Sequence, residues 1–570
     1  MFRLSLLGLY RLDTRLPHYL LLTLVAGLML WSGSADLPLI DRDEPRFAEA
    51  SREMLERSEW IIPYFNQDYR FDKPPMSYWL MSLSALLLGG YSEFAVRLPA
   101  SVSAWWVGLM IYETGRRHLS APIGLWAAMG WFASVQVLIH GRLAVADMPL
   151  IAAITASNWA LWELLTRERP GRHWRVMLYL SLSFGFLAKG PLAWICPLLT
   201  VGLYRLMWRQ PIPLHRLGML WGIPLTVGLI GLWGIPALYL TDGLFWHQGM
   251  GKHVVERGMT PLNGRGFTPF YYLLSSFFSL FPAIAWVGGM PKSIRQHWTA
   301  NTAFLLAWCL GPYLIFSFYA TQLSHYVLPA FPAVLLLLAQ TAMGHHQPDR
   351  QQNLVFNGVI TGGWAAALLL LLIANEEYFP PEMTDLRHFI MALAGIFGGL
   401  SLLGFAACRR KVLLVVVSLC IVSTGLYQGS VRLRGLSPSM ALTGLLSDLP
   451  ESTEFQAVGF EEPSLVYYSH RHWSVGSLAE KNLDNAIAQP GTRVILLQRH
   501  ETRLEAYMAR YLTWIRTPAQ KPESDRLKHW VDALEKAQSG YKVHHLSGIN
   551  TARLSWVEMD VWIKHESASR

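Results

Sequence analysis

The chain has 570 residues, of which 52% are apolar and only 15% charged, and 24 of them are tryptophan. This composition excludes an ordinary soluble protein and is typical of a polytopic membrane protein embedded in a lipid bilayer. The formal net charge of +9 does not predict a nucleic-acid partner, because most of the excess lies in short loops between apolar stretches, where membrane orientation explains it.

The first apolar stretch follows Arg3, Arg11 and Arg15 and resembles a signal peptide. We interpret it as a retained anchor, because the acidic segment directly after it looks functional only if it is tethered. From there to about residue 428, stretches of roughly 17 to 25 mostly apolar residues recur, the length needed to cross a hydrocarbon core about 30 Å thick. The sequence therefore predicts an α-helical polytopic membrane protein with about thirteen spans.

Loops with an excess of Lys and Arg alternate along the chain with the other loops. The positive-inside rule places the basic loops on the cytoplasmic side of a bacterial inner membrane. The remaining loops are then periplasmic: residues 37–94, 141–147, 188–190, 241–268, 321–326 and 375–386. This alternation requires that residues 75–90 do not cross. We expect this short stretch to be an interfacial or re-entrant helix, with Tyr78 and Trp79 at the headgroup level.

The first periplasmic segment, residues 39–79, is dense with charge directly after a span. Asp43 or Glu44 suits the cap of a helix and its positive dipole end, and Pro45 suits the first turn. The sequence therefore predicts a helix over residues 45–57. An apolar stripe on this helix is expected to lie flat on the membrane: Phe47, Ala50 and Met54.

The charges of this segment have two interpretations. Most of those on the helix are explained by solvation of a surface helix: Glu49, Arg52, Glu56 and Arg57. Asp41, Asp43 and Glu44 instead crowd together at the mouth of a span, where carboxylates commonly mark function. The residues alone leave open whether Asp43 is catalytic or only caps the helix. We predict that Glu44 supports the site.

Further charged residues return to the same membrane face. They are Asp72 with Lys73, Asp147 at the end of a short turn, and Lys189 in the segment LAKGP. A single Lys at the end of a span usually extends its amine to the interface. Loop parity, however, places all of these residues and Asp43 at periplasmic ends of spans, so one water-accessible cavity could hold several of them.

Two later loops, residues 241–268 and 321–326, add basic and aromatic side chains. Such groups suit a phosphate on a lipid, although a solvated interfacial loop is the alternative for any one of them. The side chains concerned are Trp246, His247, Lys252, His253, Glu256, Arg257, Arg265, His325 and Tyr326. The histidine spacings match no metal-ligand motif, so we assign no cofactor and leave a divalent metal as an open option.

After about residue 428 the composition becomes that of a soluble domain. Residues 455–460 and 493–497 are predicted strands, residues 504–512 a helix, and residues 552–563 one or two strands. We therefore predict a transmembrane domain over residues 1–430 and a periplasmic α/β domain over residues 431–570.

Five segments together carry a family resemblance: DRDEPRFAEASREM, FDKPPMSYW, RLAVADMP, LAKGP and QLSHYVLPAFP. Their order is similar to that in the GT-C membrane glycosyltransferases of the lipid A aminoarabinose transferase and protein O-mannosyltransferase-like family. The resemblance implies that Asp43 is the essential acid of the first periplasmic loop, and that Arg46 and Lys73 hold the donor phosphate. It also implies that Asp147 is important for activity and that Tyr326 contacts the donor.

The chain departs from the family pattern at two positions. Gln322 stands where the resemblance predicts a lysine, which weakens the prediction of donor identity more than that of reaction type. Asp72 stands where a glutamate is common, which is a conservative change.

The resemblance implies transfer of a sugar, an aminoarabinose-like pentose or a hexose, from a polyprenyl-phosphate donor to lipid A or another envelope glycan. Asp43 would accept or orient the acceptor proton, and basic groups would stabilise the departing phosphate. Lys189 and Arg265 are also predicted to bind the donor phosphate. Asp72 and Glu44 are predicted to support the site. A transferase acting on protein, a flippase for polyprenyl-linked sugars and a non-enzymatic scaffold are alternatives. The clustering of charges at span ends disfavours the flippase.

Overall fold

The computed structural model describes residues 15–209, 211, 213–249, 251, 270–344, 350–376, 379, 381–475, 492–503, 525–536 and 541–564. Within these ranges a helical membrane domain precedes a C-terminal domain built on a five-stranded sheet. This architecture confirms the predicted fold class. The predicted helix over residues 504–512 and the candidate residue Arg265 lie outside the described residues.

In the described residues, the first half of the membrane domain has ten helices and one small hairpin. The helices are α1 Arg15–Ala26, which continues as a π-helical turn Gly27–Trp31, α2 Asp43–Glu56, α3 Met76–Leu88, α4 Glu93–His118, α5 Ala121–Ala133, α6 Val135–His140, α7 Asp147–Thr166, α8 His173–Lys189, α9 Leu192–Trp208 and α10 Met219–Leu240. The hairpin strands are β1 Tyr64–Phe65 and β2 Asp68–Tyr69, and a 3-10 turn Leu214–Leu217 precedes α10.

The second half continues with helices and several 3-10 segments. They are α11 Leu244–Trp246, α12 Tyr271–Ser279, the 3-10 segment Ala283–Gly289, α13 Met290–Gln296, α14 Ala300–Ser317, the 3-10 segment Ser324–Ala330, α15 Phe331–Met343, α16 Arg350–Ile373, the 3-10 turn Pro381–Met383, α17 Thr384–Cys408 and α18 Val412–Gly435.

Seven helices in the described part of the chain are long and apolar enough to cross a membrane. They are Glu93–His118, Met219–Leu240, Ala300–Ser317, Ser324–Met343, Gln351–Ile373, Thr384–Cys408 and Val412–Gly435. The chain is therefore a multi-pass membrane protein. The predicted number of about thirteen spans also needs shorter apolar segments such as Arg15–Trp31 and Leu192–Trp208, and it stays a prediction.

Helix α3 has 13 residues and so extends about 20 Å, less than the thickness of a hydrocarbon core. Leu86 and Leu87 on it are exposed, as expected for a helix at the edge of the membrane. Tyr78 is fully buried and its hydroxyl accepts a hydrogen bond from Arg70. The ring of Tyr78 is therefore enclosed by protein rather than exposed to lipid, and its predicted place at the headgroup level stays a prediction.

The helix predicted at residues 45–57 is confirmed as α2, but its surroundings differ from the prediction. Phe47, Ala50 and Met54 are buried against α3 and the C-terminal domain rather than lying on the membrane. Glu49 is also buried, where both of its carboxylate oxygens accept hydrogen bonds from Arg52. The interpretation of Glu49 as a solvated surface charge was wrong, because the C-terminal domain covers this helix.

The C-terminal domain is a mixed sheet with helices. Its elements are α19 Pro438–Leu446, β3 Glu454–Val458, α20 Ser464–Ser469, β4 Trp473–Val475, β5 Arg493–Arg503, α21 Asp525–Lys536, β6 Tyr541–Asn550 and β7 Ser555–Lys564. The strand order is β4-β3-β5-β7-β6, with β3 parallel to both of its neighbours and the other pairs antiparallel. The central strand β5 is buried from Arg493 to Leu497 because helices pack on the sheet.

The C-terminal domain docks on the first loop of the membrane domain through α20. The Asp41 carboxylate accepts hydrogen bonds from the backbone N–H of Ser464 at 3.0 Å and from its hydroxyl at 2.7 Å. The Tyr468 hydroxyl accepts a hydrogen bond from the backbone N–H of Leu39 at 2.8 Å. The C-terminal domain therefore contacts the loop that carries Asp43, the predicted catalytic acid, and holds it in place.

This contact should depend on pH. Burial raises the pKa of Asp41 to about 7, against the opposing effect of the Ser464 hydrogen bonds. A raised pKa favours the folded state below the unfolded pKa of about 4, and this contribution is lost as the pH rises through about 7. We expect the thermal midpoint of the wild type to fall more between about pH 5 and pH 8 than that of Asp41→Asn, which cannot ionise.

The exposed acid Asp68 provides the control for this measurement. An Asp68→Asn variant should keep the pH dependence of the wild type. Equal pH dependence of Asp41→Asn and the wild type in the same buffers would contradict the assignment.

Candidate active site

Asp43 is the first residue of α2 and its side chain is exposed. Acidic residues in the first turn stabilise the positive end of the helix dipole, and Pro45 fits there because it lacks a backbone N–H. One turn later, burial and the positive charge of Arg70 lower the pKa of Arg46, while Asp43 and Asp72 act in the opposite direction. Arg46 is thus a half-buried guanidinium that an additional anion would stabilise.

Glu44 points into the protein and forms a fully buried ion pair with Arg97 of α4. Two parallel hydrogen bonds of 2.8 Å join the guanidinium to the carboxylate. The same carboxylate accepts hydrogen bonds from the backbone N–H groups of Ile40 at 2.7 Å and Ala144 at 2.6 Å. Glu44 therefore ties the acidic loop to α4 and to the turn before Asp147, and it is not accessible to a substrate.

Asp72 and Lys73 follow a buried cation that was missed in the sequence. Arg70 is 7% exposed, forms an ion pair with Asp72 at 3.1 Å and donates a hydrogen bond to Tyr78 at 3.0 Å. These partners fix the chain just before Lys73. The only sequence signal for Arg70 was its position two residues before Asp72.

Asp147 and Lys189 form a direct ion pair at the ends of α7 and α8. Their Oδ1 and Nζ atoms lie 2.6 Å apart, and Nε2 of His325 lies 3.9 Å from the same oxygen. The prediction from loop parity that these side chains converge is confirmed for this pair. Lys189 is therefore held by a carboxylate rather than extending to the interface.

A second histidine, absent from the predictions, extends this cluster. The rings of His140 and His325 are 4.5 Å apart, and Nδ1 of His140 lies 2.9 Å from Nε2 of Gln136. The amide oxygen of Gln136 accepts a hydrogen bond from Ser279 at 3.0 Å. His140 also lies within electrostatic range of both Asp147 and Asp43. It was missed because a histidine ending an apolar run usually reads as a core residue.

A cavity of about 550 Å³ lies beside these charges. Its polar lining comes from Asp72, Lys73 and Lys189. The rest is apolar, and much of it is aromatic: Phe71, Phe186, Trp194, Trp233, Phe245 and Trp246. The cavity therefore combines two amines with a largely apolar wall, which suits a phosphate attached to a long hydrocarbon.

Four helices, α8 to α11, and the segment at Phe71 build the aromatic wall. Phe186 and Trp194 stack with ring centroids 4.6 Å apart where α8 meets α9. Phe245 contacts Trp233 of α10 at 5.1 Å and Phe71 at 5.5 Å, both edge to face. Because these rings pack against one another, the wall is formed before any ligand binds.

The remaining predicted site residues in the described part of the chain lie outside the cavity lining. Tyr326 does not line the cavity; it packs on His325, with ring centroids 5.0 Å apart, and on Phe316 at 5.1 Å. Asp43 and Arg46 also lie outside the cavity lining, on the side of the C-terminal domain. In the described part of the chain, no group of three His, Cys, Asp or Glu side chains is arranged to hold a metal ion.

Comparison with known proteins gives both sequence and fold relatives. Residues 72–230 match the family described as dolichyl-phosphate-mannose-protein mannosyltransferase. The chain is 30% identical over 359 residues to the undecaprenyl phosphate-alpha-4-amino-4-deoxy-L-arabinose arabinosyl transferase of Pectobacterium atrosepticum, covering 59% of this chain and 60% of that protein. The enzyme of the same name from Edwardsiella ictaluri is 30% identical over 305 residues, covering 52% of this chain and 54% of its own length. The alignments thus span less than two thirds of these curated relatives.

Two solved structures share the fold. ArnT from Cupriavidus metallidurans, bound to undecaprenyl phosphate, superposes with a TM-score of 0.71 at 16% identity, covering 96% of this chain and 98% of that chain. The oligosaccharyltransferase of Archaeoglobus fulgidus, tethered to an acceptor peptide, gives a TM-score of 0.51 at 10% identity, covering 94% and 73%. The resemblance to GT-C membrane glycosyltransferases inferred from the motifs is confirmed.

Proposed function

We propose that this chain, which has the fold of the GT-C membrane glycosyltransferases, transfers an aminoarabinose-like sugar from a polyprenyl-phosphate donor to lipid A or another envelope glycan. One observation carries the proposal. The aromatic cavity is lined by two amines, Lys73 and Lys189, and Lys189 is paired with the carboxylate of Asp147. The relatives named for undecaprenyl phosphate-linked aminoarabinose supply the donor class.

The donor would bind with its isoprenoid chain along the aromatic wall and its phosphate near the two amines. Lys73 and Lys189 both line the cavity, so a phosphate there meets two positive charges in an apolar surrounding that strengthens them. Arg46 lies outside the cavity lining, and its contact with the donor phosphate rests on the family resemblance. We also assign Tyr326 and Arg265 to the donor-phosphate region, on the strength of the family resemblance.

The chemical step would be a direct displacement at the anomeric carbon. The acceptor oxygen forms a bond to that carbon, the bond from carbon to the phosphate oxygen breaks, and polyprenyl phosphate leaves with its negative charge. The basic groups stabilise this charge as it develops. Asp43 takes the proton if the acceptor is a hydroxyl, and orients the acceptor if it is an ionised phosphate. Displacement in one step inverts the anomeric centre.

Asp147 and Glu44 would act through other residues. Asp147 is tied to Lys189 and would hold that amine toward the cavity, so we assign it as a positioning residue. Glu44 is buried against Arg97 and would hold the loop that carries Asp43. Asp72 would similarly be oriented by Arg70 at the cavity edge.

Replacing Lys189 with glutamine should raise the KM for the donor by about ten- to a hundredfold, because a charge-assisted hydrogen bond to phosphate contributes about 1.5–3 kcal/mol. Turnover at saturating donor should fall less, and Lys189→Arg should restore part of the affinity. The measurement is steady-state kinetics in detergent with varied donor. Lys292→Gln, an exposed cation at the far end of the bundle, is the matched control. An unchanged KM for the donor in Lys189→Gln would show that the donor phosphate does not bind at Lys189.

We further propose that the protein lies in the bacterial inner membrane with this site and the C-terminal domain on the periplasmic side. The predicted division into residues 1–430 and 431–570 belongs to the same proposal. Its support is the distribution of basic loops and the docking of α20 on the loop that carries Asp43. A site on this side fits a donor that is already linked to a lipid.

Mass spectra of lipid A and other envelope glycolipids, from cells with and without the protein, test this function. We expect a mass increase of one amino sugar that depends on the protein. The family described for protein mannosyltransfer keeps a protein acceptor as the second candidate. A sugar found on periplasmic proteins, with unchanged glycolipids, would favour that candidate over lipid A.

A further inference from the structure

A second cavity of about 360 Å³ lies in the membrane domain and shares no lining residue with the cavity of the candidate active site. Helices α1, α5, α17 and α18 and the segment Ala283–Gly289 surround it. Its wall is apolar and includes Leu21, Trp126, Trp286, Leu403 and Leu419. Among the lining residues that the structure describes, only Arg410 is charged.

This cavity lies toward the end of the bundle that is remote from the candidate active site. Arg434, at the end of α18, donates a hydrogen bond to the carbonyl of Ala35 in the first loop. Arg410 precedes the start of the same helix, and its 24 residues extend about 36 Å. Arg410 is therefore about one membrane thickness away from the acidic loop.

The mouth of the cavity is strongly basic. Arg409, Arg410 and Lys411 are consecutive and exposed, at the turn between α17 and α18. The guanidinium of Arg409 lies over the ring of Phe405, 5.7 Å from its centroid, so it faces away from the cavity lining. Arg410 is therefore the cation that lines the cavity, and Arg409 and Lys411 are its neighbours in the chain.

We propose that this cavity binds an anionic membrane phospholipid, with an acyl chain in the apolar wall and the headgroup phosphate against Arg410. The apolar wall offers water no hydrogen-bonding partners, so a hydrocarbon chain is the ligand that it suits. Three adjacent cations favour a headgroup with net negative charge over a zwitterionic one. Arginine holds a phosphate through two parallel hydrogen bonds. The site goes beyond the proposed transfer reaction and does not depend on it.

Native mass spectrometry of the delipidated full-length protein tests the proposal. The probes are phosphatidylglycerol and phosphatidylethanolamine with identical acyl chains, titrated separately. We expect tighter retention of phosphatidylglycerol by the wild type. Arg410→Gln should weaken that affinity about tenfold, the effect of losing a charge-assisted contact. Ala407→Phe, which places a ring in the cavity, should weaken it similarly.

Arg295→Gln is the matched control, because Arg295 is an exposed cation that does not line the cavity. It should bind phosphatidylglycerol as the wild type does. Equal affinities of Arg410→Gln and the wild type would overturn the proposal, and so would equal retention of the two lipids. A loss in Arg410→Gln without a loss in Ala407→Phe would place the lipid on the basic surface alone and would also overturn it. Arg410 is exposed, so its variant should fold even if the filled cavity does not.

Discussion

Replacing Asp43 with asparagine is expected to reduce sugar transfer by about 10²- to 10⁴-fold, the contribution of a positioned acid or base. Asparagine keeps the size of the side chain, but it cannot accept a proton or carry charge. Because Asp43 is exposed, the thermal stability of the variant should change little. Turnover of a polyprenyl-phosphate-linked sugar by purified protein measures the effect.

Asp68→Asn is the control for this substitution. Asp68 is an exposed acid of the same connection between α2 and α3, in the strand β2. Its replacement should leave turnover within about twofold of the wild type, since surface substitutions away from a site are usually mild. If Asp43→Asn retained full turnover with every acceptor tested, Asp43 would be only a helix cap.

Replacing Arg97 with methionine is expected to destabilise the protein by about 3–5 kcal/mol and to remove activity with it. The change leaves Glu44 buried and unpaired, and an uncompensated buried charge has this effect on stability. Glu44 also holds the backbone of Ile40 and Ala144, so the acidic loop and the turn before Asp147 should loosen together. The thermal midpoint in detergent and hydrogen exchange of these segments measure the loss.

Two further variants separate this effect from a general loss of charge. The pair of Arg432 and Asp385 has a single contact of 3.1 Å, and each side chain is 39% exposed. Arg432→Met should therefore lower stability by less than about 1 kcal/mol. The double variant Arg97→Met with Glu44→Met should recover part of the loss, because no buried charge remains. Equal effects of Arg97→Met and Arg432→Met would show that the buried pair does not hold the loop.

The sequence predicted those parts of the molecule that depend on local patterns. Helix α2 follows from the acids and proline at its start, and the convergence of Asp147 with Lys189 follows from the order of loops along the chain. The first signal is contained in one short segment, and the second in the alternation of basic loops along the chain. The continuous apolar run at residues 493–497 likewise predicted the buried part of β5.

The sequence did not predict contacts between distant segments. Glu44 and Arg97 are 53 positions apart, and Asp41 and Ser464 are 423 apart, so no local pattern links them. The docking of α20 then buries Glu49 and the apolar stripe that looked like a membrane surface. Only the three-dimensional packing determines which charges are paired and which remain available to a substrate.

In the proposed function, one cavity presents a lipid-linked sugar to an acceptor beside Asp43. The most direct test places purified wild type or Asp43→Asn in liposomes with lipid A and a synthetic polyprenyl-phosphate-linked aminoarabinose. The wild type should form glycosylated lipid A and free polyprenyl phosphate in equal amounts, and Asp43→Asn should form neither. Movement of the intact donor between leaflets by both proteins, without transfer to lipid A or to an added peptide, would contradict a transferase and indicate a flippase.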